Sequence, residues 1–163
     1  MEIREMKIKE AESFLKFFRN SVKTQFPEYS KKSVDFLLKK EWTKKKIENS
    51  LKEKYVLYLL AFEKENIVGY LIGVPPFAGV SSVYWLAVDE KYQGKGLGTK
   101  LINSFISLVK KKGAHKVNLS VTNKKNISFY EKLGFGDINF VKKDYFGLDT
   151  YWMYKDIQKS KWC

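Results

Sequence analysis

A mixed α/β sheet flanked by helices is the fold class this chain predicts, and three observations carry it. First, the hydrophobic period changes along the chain: helical spacing over roughly the first fifty residues gives way to the β-rich apolar runs "YVLYLLAF" and "IVGYLIGV". Second, strand-like and helical runs alternate from there to the tail. Third, 163 residues with 44% hydrophobic and 16% aromatic content supply the core of one domain, which excludes a disordered chain.

The elements follow in order. Ile3 to Ile8 alternates and predicts a first strand. Ala11, Phe14, Leu15, Phe17 and Phe18 predict a helix over Glu10–Asn20, and Pro27 interrupts to leave a loop at Gln25–Ser30. Val34, Leu37 and Leu38 mark a second helix over Ser33–Lys40. Thr43 is a side-chain cap for a third running through Leu51. The two apolar runs joined by "EKEN" predict a β-hairpin. Pro75, Pro76 and Gly79 break it, and Val80–Asp89 is the next strand. Leu97, Leu101, Ile102, Phe105, Ile106, Leu108 and Val109 predict a helix of about four turns, with Gly113 at its stop. "KVNLSV" is a strand, "NKKNISFYEKLGF" a short helix, and two strand-like runs around "KDYFGLD" form a closing hairpin.

Charge and cysteine usage bound the function. Lys+Arg total 31 against 18 Asp+Glu, a net charge of +13. Such an excess suits a polyanionic partner. A solvated lysine-rich surface is the simpler reading: the lysines are spread along the chain, and Arg4 and Arg19 are the only arginines, whereas bidentate phosphate and base recognition favours Arg. Nucleic acid is therefore a disfavoured partner. One cysteine (Cys163) and one histidine (His115) exclude a disulfide framework and a Cys/His metal cluster, so no metal is expected. The charged start "MEIREMKIKEAE" is unlike a secretion signal, and no apolar run is long enough to cross a bilayer. These features predict a soluble, cytoplasmic protein without a membrane partner.

The stretch "EKYQGKGLGTKLI", Glu90–Ile102, carries the chemistry. Strand, glycine turn, then helix brings the unpaired amides of a helix start to a place where bare backbone admits a bulky anion. Lys95 adds a point charge. The P-loop pattern fails, because no G-x-x-x-x-G-K-[ST] is present. The dinucleotide fingerprint fails too: Gly94 and Gly96 fit, but Thr99 stands at the third glycine. What fits is Q-x-x-G-x-G at Gln93, Gly96 and Gly98.

That pattern resembles the signature of the GCN5-related N-acetyltransferase (GNAT) family. "WLAVDEKYQGKGLGTKLI" is similar to the family's strand, pyrophosphate loop and helix, and "NKKNISFYEKLGF" to its second motif. The likeness covers about Tyr55–Ile157. It implies one N-acetyltransferase domain over 1–163, with 1–52 as variable acceptor-side helices and 53–157 as the acetyl-CoA-binding core and closing hairpin. It implies a sheet of about seven strands whose two central parallel strands splay apart, and an acyltransferase that moves acetyl from acetyl-CoA directly to a primary amine of a peptide, protein or small molecule.

Residue by residue, the resemblance implies that the backbone of Leu86, Ala87 and Val88 pairs with the pantetheine arm. Gln93, Gly94, Lys95, Gly96, Leu97, Gly98 and Thr99 form the pyrophosphate loop, and Asn123 contacts the cofactor arm. Tyr130 becomes the catalytic acid that protonates the departing thiolate, while amides near Val88 steady the oxyanion. Plainer readings stand beside these: Tyr130 as a packed aromatic, Asn123 as a helix cap, His115 as a turn residue, Trp85 and Trp152 as core or pocket wall. Cys163 is not needed as a nucleophile. The strand that carries a glutamate in some family members here reads "KVNLSV", so Asn118 and Ser120 occupy those places and the base is open among Glu28, Asp35, Glu41, Asp144, Asp149 and solvent. Monomer and homodimer are both compatible with the tail. A non-catalytic acyl-CoA binder or a basic nucleic-acid-binding module is the alternative.

Overall fold

The computed structural model describes residues 1–161; Cys163 lies outside them. Its spine is one seven-stranded sheet in the order β1-β2-β3-β4-β5-β7-β6. The strands are β1 (Glu2–Glu5), β2 (Leu57–Glu63), β3 (Asn66–Gly73), β4 (Val80–Val88), β5 (Lys116–Val121), β6 (Gly136–Val141) and β7 (Thr150–Asp156). All neighbours are antiparallel except β4 and β5. The expected class, a mixed sheet flanked by helices, is the one observed. The helices are α1 (Ala11–Gln25), α2 (Lys31–Phe36), α3 (Lys44–Glu53), α4 (Leu97–Lys111) and α5 (Ile127–Lys132).

Alternation along the strands sends neighbouring side chains to opposite faces and builds two cores. Leu57, Leu59, Leu71, Val83, Val117 and Leu119 pack with Leu97, Leu101, Ile102 and Phe105 of α4. Tyr58, Leu60, Tyr70, Ile72 and Ala87 pack with Phe14, Leu15, Phe18 and Val22 of α1, Leu37 and Leu38, and Ile47 of α3. β2 is consequently buried on both faces.

Local chemistry sets the ends. Ser30 accepts from the amide of Ser33 at 3.1 Å to start α2, and Thr43 accepts from Lys46 at 3.4 Å to start α3, as its sequence position predicts. The first strand is shorter than the alternation suggests. Glu10 folds back, accepting from the Lys7 amide (2.8 Å) and pairing with Arg4 (2.6 Å), so the chain turns after Glu5. The Arg4 hydrogen bond holds the Glu10 carboxyl below its ordinary range. After α2 the backbone widens into a looser turn over Leu37–Glu41, closed by Trp42 N–H to Leu37 C=O at 2.7 Å. The tail differs from a simple appended hairpin: β7, not β6, lies against β5.

Two buried tyrosines on the α1–α3 face are pinned by serines. Tyr70 shares a 2.8 Å hydrogen bond with Ser21, and Tyr58 one of 2.8 Å with Ser50. Removing one partner strands a buried hydroxyl, which costs about 1–3 kcal/mol. Ser21→Ala should therefore lower the unfolding free energy by about that much. Adding Tyr70→Phe should recover part of the loss in a denaturant-unfolding double-mutant cycle.

Candidate functional site

The parallel pairing of β4 with β5 is brief. Val80, Ser81, Ser82 and Val83 pair with Lys116, Val117, Asn118 and Leu119, and the ladder stops there. Beyond it β4 continues to Val88 against β3, while Ser120 and Val121 stay with β7. A bulge marks the divergence: Ile72 faces Trp85 and Gly73 faces Val83, leaving Tyr84 as the extra residue of β4. Gly73 makes the bend possible. A Cβ there would lie 2.6 Å from both the Phe105 ring and the Ser82 carbonyl. From Leu86 to Val88, β4 has no strand neighbour on the β5 side, so backbone groups facing that side are left to other partners.

One of them is already used. Gln93 donates from Nε2 to the Val88 carbonyl at 2.9 Å, tying the glycine segment to the strand end. The chain then passes through Gly94 (φ 71°) and Gly96 (φ 77°), left-handed positions that favour glycine, and neither would meet an atom within 4 Å if it bore a Cβ. Gly96 caps α4. The amides of Leu97, Gly98 and Thr99 open the helix with no intrahelical acceptor. They face a cleft of about 740 Å³ walled by Leu86–Val88, by Thr24–Pro27 at the end of α1, and by Asn123, Asn126, Phe129 and Tyr130. Lys95 is not part of that wall; its ammonium lies 5.7 Å over the Tyr92 ring.

On the far wall, Asn123 is a cap: its Oδ1 accepts from the Lys125 amide at 3.1 Å. The residue also lines the cleft, so capping and ligand contact are compatible. The Tyr130 ring stands edge-on to Phe129 (4.9 Å) and Phe135 (5.9 Å), and its hydroxyl has no hydrogen-bond partner among the described residues. Burial pushes its phenol above the ordinary range, because the anion loses solvation. The group is a proton-bearing hydroxyl at neutral pH.

A second cavity of about 280 Å³ lies at the same break in the sheet. Ser82–Trp85 of β4, Ser120, Thr122 and Trp152 line it together with Phe26, Tyr29, Tyr145 and Phe146. Phe146 adopts φ 56°, costly for a bulky residue, with its ring 5.7 Å from Tyr29 and 5.9 Å from Phe36. Burial, with the Glu28 charge in second place, pushes the Tyr29 phenol up to about 12. Trp85 and Trp152 are cavity wall, matching one of the two readings of the sequence.

The acidic candidates separate clearly. Asp35 pairs with Lys39 (3.5 Å) and Glu41 with Lys46 (3.3 Å). Asp144 accepts from Thr150 (2.6 Å) and Trp152 (3.1 Å), and Asp149 from the Lys143 amide (3.0 Å). Glu28 accepts from Thr122 Oγ1 at 2.6 Å, while its other carboxylate oxygen is buried without a hydrogen-bond partner among the described residues. Sequence reading missed Phe26, Pro27, Asn126 and Phe129 as cleft residues. Phe26 and Pro27 sit in a loop whose approach to the cleft is a long-range contact, without a local signal. His115 lies at the opposite end of β5, where its amide bonds Gly79 and its carbonyl accepts from Ile157. No cluster of three or more potential metal ligands occurs among the described residues, and none of their helices is long and apolar enough to cross a membrane.

The description "Acetyltransferase (GNAT) family" matches residues 15–135. The chain belongs to this family. Curated relatives of the GNAT chain include an uncharacterized N-acetyltransferase of Methanocaldococcus jannaschii, 42% identical over 65 residues. That stretch covers 39% of this chain and 29% of the relative, so the alignment spans under a third of that protein. The [ribosomal protein bS18]-alanine N-acetyltransferase of Haemophilus influenzae is 29% identical over 106 residues, covering 64% of this chain and 70% of that one. Among solved structures, the PaiA N-acetyltransferase of Thermoplasma acidophilum in complex with coenzyme A superposes with a TM-score of 0.78 at 26% identity, over 95% of this chain and 98% of that one. The ribosomal-protein-alanine N-acetyltransferase of Brucella melitensis shares the fold with a TM-score of 0.73 at 22% identity, over 96% of this chain and all of that one.

The cleft fits coenzyme A on its own terms. Free helix-start amides and open glycines suit a diphosphate, and an unpaired strand edge suits an amide-bearing arm. Gly96→Val and Gly98→Val should each weaken acetyl-CoA binding at least about tenfold in calorimetry, a loss of about 1.4 kcal/mol. The first adds a side chain at a left-handed position facing the cleft; the second drives a Cβ to 3.3 Å from Phe129.

Proposed function

We propose that this GNAT protein transfers the acetyl group of acetyl-CoA to a primary amine, and that the amine is the free N-terminus of a peptide or protein. The observation that carries the reading is the pair of cavities along β4 that share Phe26 in their linings, one lined by the glycine loop and the other by aromatic rings. In this assignment acetyl-CoA is a substrate. The amides of Gly94–Thr99 hold its diphosphate, with Gln93 bracing the loop against Val88. The Leu86–Val88 edge pairs with its arm, and Asn123 lines the path. The acceptor enters the second cavity. Its neutral nitrogen attacks the thioester carbonyl and a C–N bond forms; the C–S bond breaks, Tyr130 Oη gives its proton to the leaving sulfur, and the proton that the nitrogen sheds as it becomes an amide restores the phenol.

Three features support the acceptor class. The second cavity is walled by Phe26, Tyr29, Trp85 and Trp152, which suit an amine carried on a partly apolar chain more than a highly solvated polycation. A net charge of +13 opposes the approach of polyamines. A relative 29% identical over 106 residues is named a [ribosomal protein bS18]-alanine N-acetyltransferase.

The test is thiol release from acetyl-CoA with short peptides bearing free N-termini, set against spermidine and simple aryl-alkyl amines. Peptides are expected to give the highest kcat/KM; spermidine as best acceptor would overturn the acceptor assignment. Tyr130→Phe should lower kcat by about 10²-fold while leaving acetyl-CoA affinity nearly unchanged. Because burial raises the phenol pKa, Tyr130 keeps its proton as pH rises. Its acid role therefore predicts no loss of kcat on the alkaline side up to about pH 10, the ordinary phenol value.

A further inference from the structure

A neutral amine is needed for attack, and an amine at neutral pH arrives mostly as an ammonium. Something must take its proton. Four of the five acidic side chains that the sequence brings near the acceptor region are spent on ion pairs or loop amides and hydroxyls. Glu28 is different. One of its carboxylate oxygens is fixed by Thr122 at 2.6 Å, and the other is buried with no hydrogen-bond partner among the described residues. A buried carboxylate oxygen without a partner is costly, and native proteins seldom leave one unexplained.

Its place in the fold supplies the explanation. The segment carrying Glu28 borders both cavities: Pro27 lines the first, Tyr29 the second, and Phe26 both. The segment carrying its partner does the same, with Thr122 in the second cavity and Asn123 in the first. The Thr122–Glu28 hydrogen bond thus ties together the two segments that border both cavities, although Glu28 itself is a lining residue of neither. It spans 94 residues of sequence and reaches the end of β5 just where that strand has left β4.

From this geometry we infer that Glu28 is the general base of the reaction, its unpartnered Oε2 accepting the proton of the acceptor ammonium, and that Thr122 is the positioning residue that aims it. The inference rests on the acetyl-transfer reading above and deepens it. The N–H bond of the ammonium breaks, an O–H bond forms on Glu28, and the neutral nitrogen is released for attack. The proton passes to water after the product leaves. The Tyr29 phenol is the titratable group the structure couples to this carboxylate, and burial keeps it protonated.

The test uses the full chain, acetyl-CoA and an alanine-first hexapeptide with a free N-terminus. Glu28→Gln keeps an oxygen for the Thr122 hydrogen bond but cannot hold the proton. Its kcat/KM should fall at least about tenfold at pH 7, and the deficit should shrink toward pH 9.5, where the α-amine arrives neutral. Thr122→Val should lower kcat/KM by a smaller factor and leave the shape of the pH profile intact. Acetyl-CoA affinity should stay within about twofold for both, since neither lines the diphosphate end of the cleft. A Glu28→Gln enzyme as fast as the parent, or one slowed by the same factor at every pH, would overturn the base assignment. A parent protein that binds no acetyl-CoA in calorimetry would instead overturn the acetyl-transfer reading and this inference with it. Binding and turnover in the parent with an unaffected Glu28→Gln variant would remove Glu28 alone.

Discussion

The early end of one parallel ladder governs this molecule. β4 and β5 share four residue pairs and part after Val83 and Leu119. Had they stayed paired to Val88, their backbone groups would have satisfied each other and closed the sheet. Because they separate, β4 keeps an unshared edge over Leu86–Val88 within an otherwise continuous seven-stranded sheet. The divergence is enforced rather than accidental. Tyr84 bulges out of register, Gly73 admits Phe105 and the Ser82 carbonyl at distances no side chain would allow, and α4 packs Leu101 and Phe105 beneath the bend.

What surrounds the gap is stiff, and what faces it is unsatisfied. The α1–α3 face is pinned by buried tyrosine–serine hydrogen bonds and by tilted ring contacts among Phe14, Phe18 and Trp42. Asp144 holds the 142–149 loop to β7 through Thr150 and Trp152, fixing the backbone from which Phe146 reaches Tyr29. At the gap, by contrast, lie helix-start amides, and a phenol and a carboxylate oxygen without hydrogen-bond partners among the described residues. Polar groups held ready in a rigid frame are what catalysis by positioning requires, since they need no rearrangement when the reacting groups arrive.

The order of strands and helices was legible in the sequence wherever period and punctuation agreed. The switch of period at Tyr55, the stop at Gly113 and the Thr43 cap all stand in the structure. Boundaries were less legible where side chains fold back on the backbone. Glu10 ends the first strand early through Arg4 and Lys7, and Trp42 closes a widened turn that no periodicity announces. The glycine segment was legible because turn geometry and helix starts are local. The bracing of Val88 by Gln93 was not, because it joins a side chain to a strand-end carbonyl that only the splay leaves free. The least legible feature was the partner of Glu28, a residue the sequence offered only as one acidic candidate among five. Nothing near "QFPEYS" reveals a hydroxyl from Thr122, and only the fold brings the α1–α2 loop to the end of β5.

Residue-resolved amide hydrogen exchange, with and without saturating acetyl-CoA, tests the role of the splayed strands most directly. If the coenzyme's arm completes the edge that β5 abandons and its diphosphate seats on the helix start, the largest gains in protection fall at Leu86–Val88 and Gly94–Thr99, with little change in β1 or β6. Protection centred elsewhere, or none at those residues under saturation, would contradict the account.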